Sequence, residues 1–356
     1  MNPAFDSVIN ASDAERRDLF LGASARLGTA VQNIEKDFWV CWTLDALFNG
    51  LETGGPRLLF KGGTSLSKAF GLISRFSEDI DITVFRDDLG QGAEIADLAA
   101  LSGKKRRARL DAIRSACQAY IAGSLTEQFT QIAASVIPGN RFRLEPDPDD
   151  QDCQSLLFWY PAVTATPGDY IRSAVKIEAG AKSALDPNIE SSVTPYVTQD
   201  LPNLDLTIAN VVTVKPERTF WDKVMILHGL RQWHDRRGEL RHGGQRISRH
   251  YYDVHQLMQA PSTAEWQADH KLAIDCAHHA RLFFGSADLG LDNATPGTFT
   301  LIPNTTMRDS LKKDYDAMAG MIFGDIPPFE AVMHSAEHFE QIVNGVAMAA
   351  LATKGT

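Results

Sequence analysis

The sequence predicts an α+β protein. A mixed-sheet core over residues 56–215 is expected between a helical N-terminal segment, 1–55, and a helical C-terminal domain, 216–356. Three observations predict this. Short apolar and β-branched runs, RLLF at 57–60, DITVF at 81–85 and LTIANVVTV at 206–214, are separated by turn-forming clusters. Past Pro216 the apolar period changes to the helical one. Between the first two strands two successive glycines open directly into SLSKAFGLI, a short helix.

In chain order, residues 13–50 read as helix, because Ile34, Phe38, Cys41, Trp42 and Leu47–Phe48 fall on one stripe before Asn49–Gly50 stops it. The strand at 57–60, the glycine turn, the short helix and the strand at 81–85 follow. GQGAE then breaks the chain ahead of a long helical region, 93–122. Residues 138–170 read as irregular around the polar loop PDPDDQD, with SLLFWYP and YIRSAVKIEAG as strands. SALDPNIESSVTPY reads as turns. Helical segments follow at ERTFWDKVMILHGLRQ, SRHYYDVHQLMQ, 264–284, 309–323 and 328–350, with HDRRGELRHGGQR a polar, glycine-rich loop between the first two.

Composition narrows the function classes. Apolar residues make up 44% and charged residues 22% of 356, an ordinary globular balance that disfavours disordered, collagenous or coiled-coil chains. No run of about eighteen apolar residues is present, so no transmembrane helix is expected. The first twenty residues carry early acids and no apolar h-region, so no secretory signal is read there. Cys41, Cys117, Cys153 and Cys276 are far apart, which favours neither a zinc ribbon nor a disulfide framework. A reducing, cytoplasmic setting is the expectation. The net charge of −10 excludes a uniformly basic nucleic-acid binder. It leaves room for local patches, KKRRAR at 104–109 and six arginines within 231–250, whose ordinary reading is a solvated helix face.

The chemistry concentrates in Lys61-Gly62-Gly63-Thr64-Ser65 and Ser77-Glu78-Asp79-Ile80-Asp81-Ile82. Paired glycines permit positive φ and close backbone approach, the helix start presents free N–H groups, and Thr64 and Ser65 add hydroxyl donors; together these suit a phosphate. Asp79 and Asp81 are two apart on a strand and share a face. Two carboxylates leading into a buried strand call for a cation, and Mg²⁺ takes one or two carboxylates with substrate phosphates. In RSAVKIEAG, Lys176 and Glu178 share a face by the same period, so Glu178 is a third carboxylate for a metal or for a proton. Lys223 stands among Phe220, Trp221, Val224 and Met225 as a lone cation. It could snorkel at the helix surface or meet phosphate oxygens. Asp253, four after Arg249, could form an i,i+4 surface pair. Cys276-Ala277-His278-His279 points its histidines in different helical directions and does not suit a shared zinc.

These segments resemble the AbiEii/AbiGii nucleotidyltransferase toxins, of the DNA polymerase β-like superfamily and of bacterial abortive-infection toxin–antitoxin systems. Phe60–Leu66 with Arg75–Ile82 carries the most specific match. Glu35-Lys36-Asp37-Phe38-Trp39, Lys176-Ile177-Glu178, Thr219–Lys223 and Arg249–Val254 resemble the family's other motifs, so the likeness spans residues 35–253. Two positions depart: Glu178 stands where Asp is frequent, and His250 where an acid often stands, which leaves His250 without a role. The resemblance implies a polymerase β-like fold and an Mg²⁺-dependent nucleotidyltransferase with one or two ions on Asp79, Asp81 and Glu178. It implies catalytic roles for Asp79, Asp81, Glu178, Lys223 and Asp253, and NTP contacts from Lys61, Gly62, Gly63, Thr64, Ser65, Lys176 and Lys223. It further implies an RNA acceptor such as the tRNA 3′ end, a winged-helix antitoxin as partner, and no membrane. Two alternatives stay open: transfer to a protein hydroxyl, and a catalytically idle nucleotide- or RNA-binding partner protein.

Overall fold

The computed structural model describes residues 1–165, 172–244 and 246–353. Contacts divide the chain into two compact units. The first comprises Met1–Gly71, Phe76–Glu94 and Leu101–Val214; the second comprises Leu72–Arg75, Ile95–Ala100 and Lys215–Thr356.

The first unit is built on a seven-stranded sheet. Its strands are β1 (Leu58–Lys61), β2 (Asp79–Val84), β3 (Arg143–Pro146), β4 (Ser155–Trp159), β5 (Ala174–Gly180), β6 (Asn188–Val193) and β7 (Ile208–Val214), in the spatial order β3-β4-β5-β2-β1-β7-β6. The pairs β2–β5 and β1–β7 are parallel and the rest antiparallel, so the sheet is mixed as expected. The two edge strands are the ones that the sequence did not announce. β6 lies in the segment read as turns and β3 in the stretch read as irregular. Each pairs with one neighbour only, so neither needs a continuous apolar pattern: β6 is largely exposed, and β3 ends on a proline that an edge tolerates. Tyr170 and Ile171, read as the start of the fifth strand, lie outside the described residues.

Helices α1 (Ala4–Ile9), α2 (Asp13–Leu27) and α3 (Val31–Asp45) precede β1. The expected single helix over 13–50 is therefore broken. Ser12 and Glu15 form a capping box at the start of α2, and Gly28 ends it in the left-handed conformation. α3 continues into a π-helical turn, Ala46–Gly50. Nearly every side chain of α3 is buried, and its Trp39 and Trp42 stack on Tyr160 and Phe158 at ring distances of 5.4 and 5.3 Å. Aromatic stacking of this kind adds to the burial of large apolar area. α4 (Gly62–Lys68) follows β1 without a linker. The helical region expected at 93–122 is divided: α5 (Ile95–Ala100) belongs to the second unit, while α6 (Gly103–Tyr120), a π-helical turn and α7 (Thr126–Val136) belong to the first.

In the second unit α8 (Pro216–Arg237) opens on a proline in its first turn and closes on Gly238 in the left-handed conformation. It therefore extends through HDRR, which the sequence assigned to a loop. Helices α9 (Ser248–Leu257), α10 (Thr263–Ala268), α11 (His270–Phe284), α12 (Thr305–Met318) and α13 (Phe329–Thr353) complete it. Its core gathers Phe220, Trp221, Phe299 and Phe339 at ring distances of 5.1–6.1 Å.

Candidate active site

Strand register decides which polar groups of the first unit meet. Along β2, Asp79 and Asp81 alternate with the buried Ile80 and Ile82; along β5, Lys176 and Glu178 alternate with Val175, Ile177 and Ala179. The register sets Asp79 opposite Lys176 and Asp81 opposite both Glu178 and, on its other side, Lys61. Three adjacent central strands thus carry Lys61, Asp81 and Glu178 in one row, with Asp79 and Lys176 in the next. The shared faces expected from the period of two are present.

The charges on this face are unevenly compensated. Lys176 lies 2.7 Å from Glu178 and 3.1 Å from Asp147. Burial works against its charged form, but these two carboxylates outweigh burial and hold the ammonium above its ordinary range. Lys61 stands 3.6 Å from Asp81. Asp79 is pushed up to about 6, first by burial and then by the neighbouring Glu78 and Glu178 charges, with Lys36 acting in the opposite sense. A carboxyl this costly to ionise is one that an added cation would relieve. Among the described residues no three His, Cys, Asp or Glu side chains are already gathered at ligating distance. The donors present are nonetheless of the type a hard divalent ion takes.

The glycine turn abuts these acids. Gly62 has φ +78°, and a Cβ there would stand 2.1 Å from Asp81 Oδ2. Both facts demand glycine. The Thr64 and Ser65 hydroxyls, expected as phosphate donors, are buried and engaged internally. Thr64 donates to the Asp79 carbonyl at 2.5 Å and meets Ser77 at 2.7 Å, while Ser65 donates to the Gly62 carbonyl at 2.9 Å. They fix the turn against β2.

The motif Glu35-Lys36-Asp37 gives α3 three buried charges, and each ties a different segment. Glu35 accepts from the Val163 and Thr164 N–H groups. Lys36 donates to Glu78 at 2.7 Å and to the Arg172 carbonyl at 3.3 Å. Asp37 accepts from Lys68 at 2.6 Å and from the Tyr196 N–H at 2.7 Å, and the Lys68 ammonium stands 3.6 Å from the Tyr196 ring centroid.

Lys223 and Asp253 meet inside the second unit. Asp253, fully buried, accepts from Lys223 at 2.7 Å and from Arg75 at 2.7 and 2.9 Å. This replaces the surface pair with Arg249 and the surface setting of Lys223 that the sequence allowed. Burial opposes ionisation of Asp253, but Arg75 and Lys223 outweigh it and hold the carboxyl well below its ordinary range. Burial, with Lys223 and Arg249 beside it, holds His250 well below the ordinary imidazole range. Arg75 carried no role in the sequence reading. It stands within the most specific motif, but its partner lies 178 residues away and no spacing rule reaches that far.

The two basic segments differ. Arg231 pairs with Asp235 and also donates to the Ile302 carbonyl, Arg236 donates to the Ala287 carbonyl, Arg237 pairs with Asp288, and Arg241 lies over the Trp233 ring. Of the other segment, Arg109 is held by Gln91 and Gly92, whereas Lys104, Lys105 and Arg107 are exposed. Among the described residues those three and Arg106 have no side-chain hydrogen bond or ion pair. No described helix is long and apolar enough to cross a membrane.

A family model described as "Nucleotidyl transferase AbiEii toxin, Type IV TA system" matches residues 45–344, beyond the last sequence motif at 249–254. Among solved structures the chain is similar to "MenT4, nucleotidyltransferase toxin Rv2826c from Mycobacterium tuberculosis H37Rv", with TM-score 0.46 and 14% identity over 94% of this chain and 90% of that one. No curated protein matches the sequence.

Proposed function

The chain belongs to the AbiEii nucleotidyl transferase toxin family of type IV toxin–antitoxin systems, and from that premise we propose that it is an Mg²⁺-dependent enzyme transferring a nucleoside monophosphate from NTP to an RNA hydroxyl, with the tRNA 3′ end as the acceptor. The observation that carries this reading is the row Lys61–Asp81–Glu178, with Asp79 one step away and the Gly62 backbone against Asp81. Asp79 and Asp81, with Glu178, would hold one or two ions. Bound there, Mg²⁺ supplies charge stabilisation for the transferring phosphoryl group.

The protein's own groups do the rest. Backbone N–H groups at Gly62 and Gly63 orient the triphosphate, and Lys61 and Lys176 stand on the carboxylate face as cations for its oxygens. Where Glu178 is not taken as a metal ligand, it accepts the proton of the acceptor hydroxyl. The hydroxyl oxygen bonds to the α-phosphorus as the bond from that phosphorus to the oxygen bridging to the β-phosphate breaks, and pyrophosphate leaves. Within the second unit Asp253 fixes the Lys223 ammonium. An antitoxin, for which a winged-helix protein is our assignment, and a cytoplasmic setting complete the reading.

The test is incubation of purified protein with total RNA and each labelled NTP, with Mg²⁺ or with chelator. Label is expected in RNA with Mg²⁺ only, and is expected to vanish in Asp81→Asn. Label in protein would replace the acceptor. No label in either would leave the idle partner protein as the reading.

A further inference from the structure

The charges on α3 bear on the site without belonging to it. Lys36 reaches Glu78, the residue immediately before Asp79, and the carbonyl of Arg172, just before the strand that carries Lys176 and Glu178. The Lys36 and Glu78 side chains are 4% and 11% exposed. Asp37 reaches Lys68, the last residue of the helix that opens with the glycine turn, and both side chains are 4% exposed. Buried ion pairs contribute little net stability compared with apolar substitutes of the same size, so their presence calls for another role. Adjacent residues of one rigid helix here hold the chain just before β2, the chain just before β5 and the far end of α4. Those three places set where Asp79, Glu178 and Gly62 stand. Misplacing such groups by about 1 Å can cost about 100-fold in rate.

We infer that Lys36 and Asp37 are positioning residues of the site, Lys36 acting on the carboxylate cluster through Glu78 and Asp37 acting on the glycine turn through Lys68. The inference rests on the metal and nucleotide assignments proposed above.

The decisive variants remove both charges of a pair, so that no orphan charge is left to unfold the protein. Lys36→Met/Glu78→Gln is expected to melt close to wild type yet bind Mn²⁺ about 10–100-fold more weakly, the effect usual for groups that orient metal ligands. Its loss should equal that of Lys36→Met alone, since the lysine acts through Glu78. Asp37→Asn/Lys68→Met should instead weaken binding of the NTP used in transfer, with Mn²⁺ affinity intact. Wild-type Mn²⁺ affinity in the first double variant, a loss equal to the product of the two single losses, or unaltered NTP affinity in the second, would overturn the inference. Wild-type protein that binds no Mn²⁺ at all would overturn the metal assignment itself and this inference with it. That outcome is read before any variant is made.

Discussion

Asp79 is a carboxyl whose ionisation the fold opposes. Its folded value of about 6 lies above the ordinary 3.8, so the native state binds the proton more tightly than the unfolded chain. Stability therefore falls as pH rises from about 4 to about 6, and the cost persists above that; two pKa units set its ceiling at about 3 kcal/mol. Asp79→Asn in chelator should accordingly raise the melting temperature at pH 7, with the gain shrinking to nothing below about pH 4. The same variant should transfer no nucleotide. A variant that is more stable and inactive identifies a group kept for function; one that is less stable at pH 7 would remove the argument that the site awaits a cation. Gly62 gives a second residue-scale expectation. Gly62→Ala would force a Cβ against Asp81 Oδ2 and hold alanine at φ +78°. It should abolish transfer and destabilise by roughly 1–3 kcal/mol, measured by denaturant unfolding. Both positions were visible in the sequence, because paired glycines between a strand and a helix and acids two apart on a strand are local patterns.

At the scale of elements, legibility follows how local the signal is. β1, β2 and β7 are central strands with compact apolar runs, and the sequence marks them. β3 and β6 are edges with polar exposed faces, and it does not. α8 runs five residues further than the helical segment read from the sequence because Gly238, and not the polar run, ends it. The Arg75–Asp253–Lys223 cluster was illegible for a different reason: its members lie on three separate segments of the second unit, and only packing brings them together. That cluster replaces a lysine snorkelling at the helix surface with a buried ion pair. Lys223→Met leaves Asp253 still paired with Arg75 and should cost about 1.5–3 kcal/mol. Asp253→Asn strands two buried cations and should cost more, about 3–5 kcal/mol. Denaturant unfolding checks the order. The sign of the pH effect is opposite to that of Asp79. A depressed carboxyl contributes fully above 3.8 and loses that contribution as pH falls through and below it, so the difference between wild type and Asp253→Asn should shrink in acid.

For the whole molecule, charge is the constraint. A chain of net charge −10 that uses RNA as acceptor must confine its phosphate contacts to a local surface. The six arginines of 231–250 are one local patch that the sequence offers, but four of them are engaged with Asp235, Asp288, backbone carbonyls or the Trp233 ring. Lys104, Lys105, Arg106 and Arg107 are not so engaged among the described residues. They also crowd the first turn of α6, where like charges repel and the helix dipole disfavours cations. A phosphate backbone would relieve both costs. Replacing Lys104, Lys105 and Arg107 with glutamine should therefore weaken RNA binding and flatten its log–log salt dependence by roughly 0.7–0.9 per lost contact, or about 2–3 in all. NTP affinity should hold, because the glycine turn and carboxylate row are untouched, and stability should rise slightly as the repulsion is relieved. Replacing Arg236, Arg237 and Arg241 together should lower stability while changing the salt slope less. If the second triple flattens the slope and the first does not, the acceptor lies along 231–250, and the run at 104–107 is a solvated helix face.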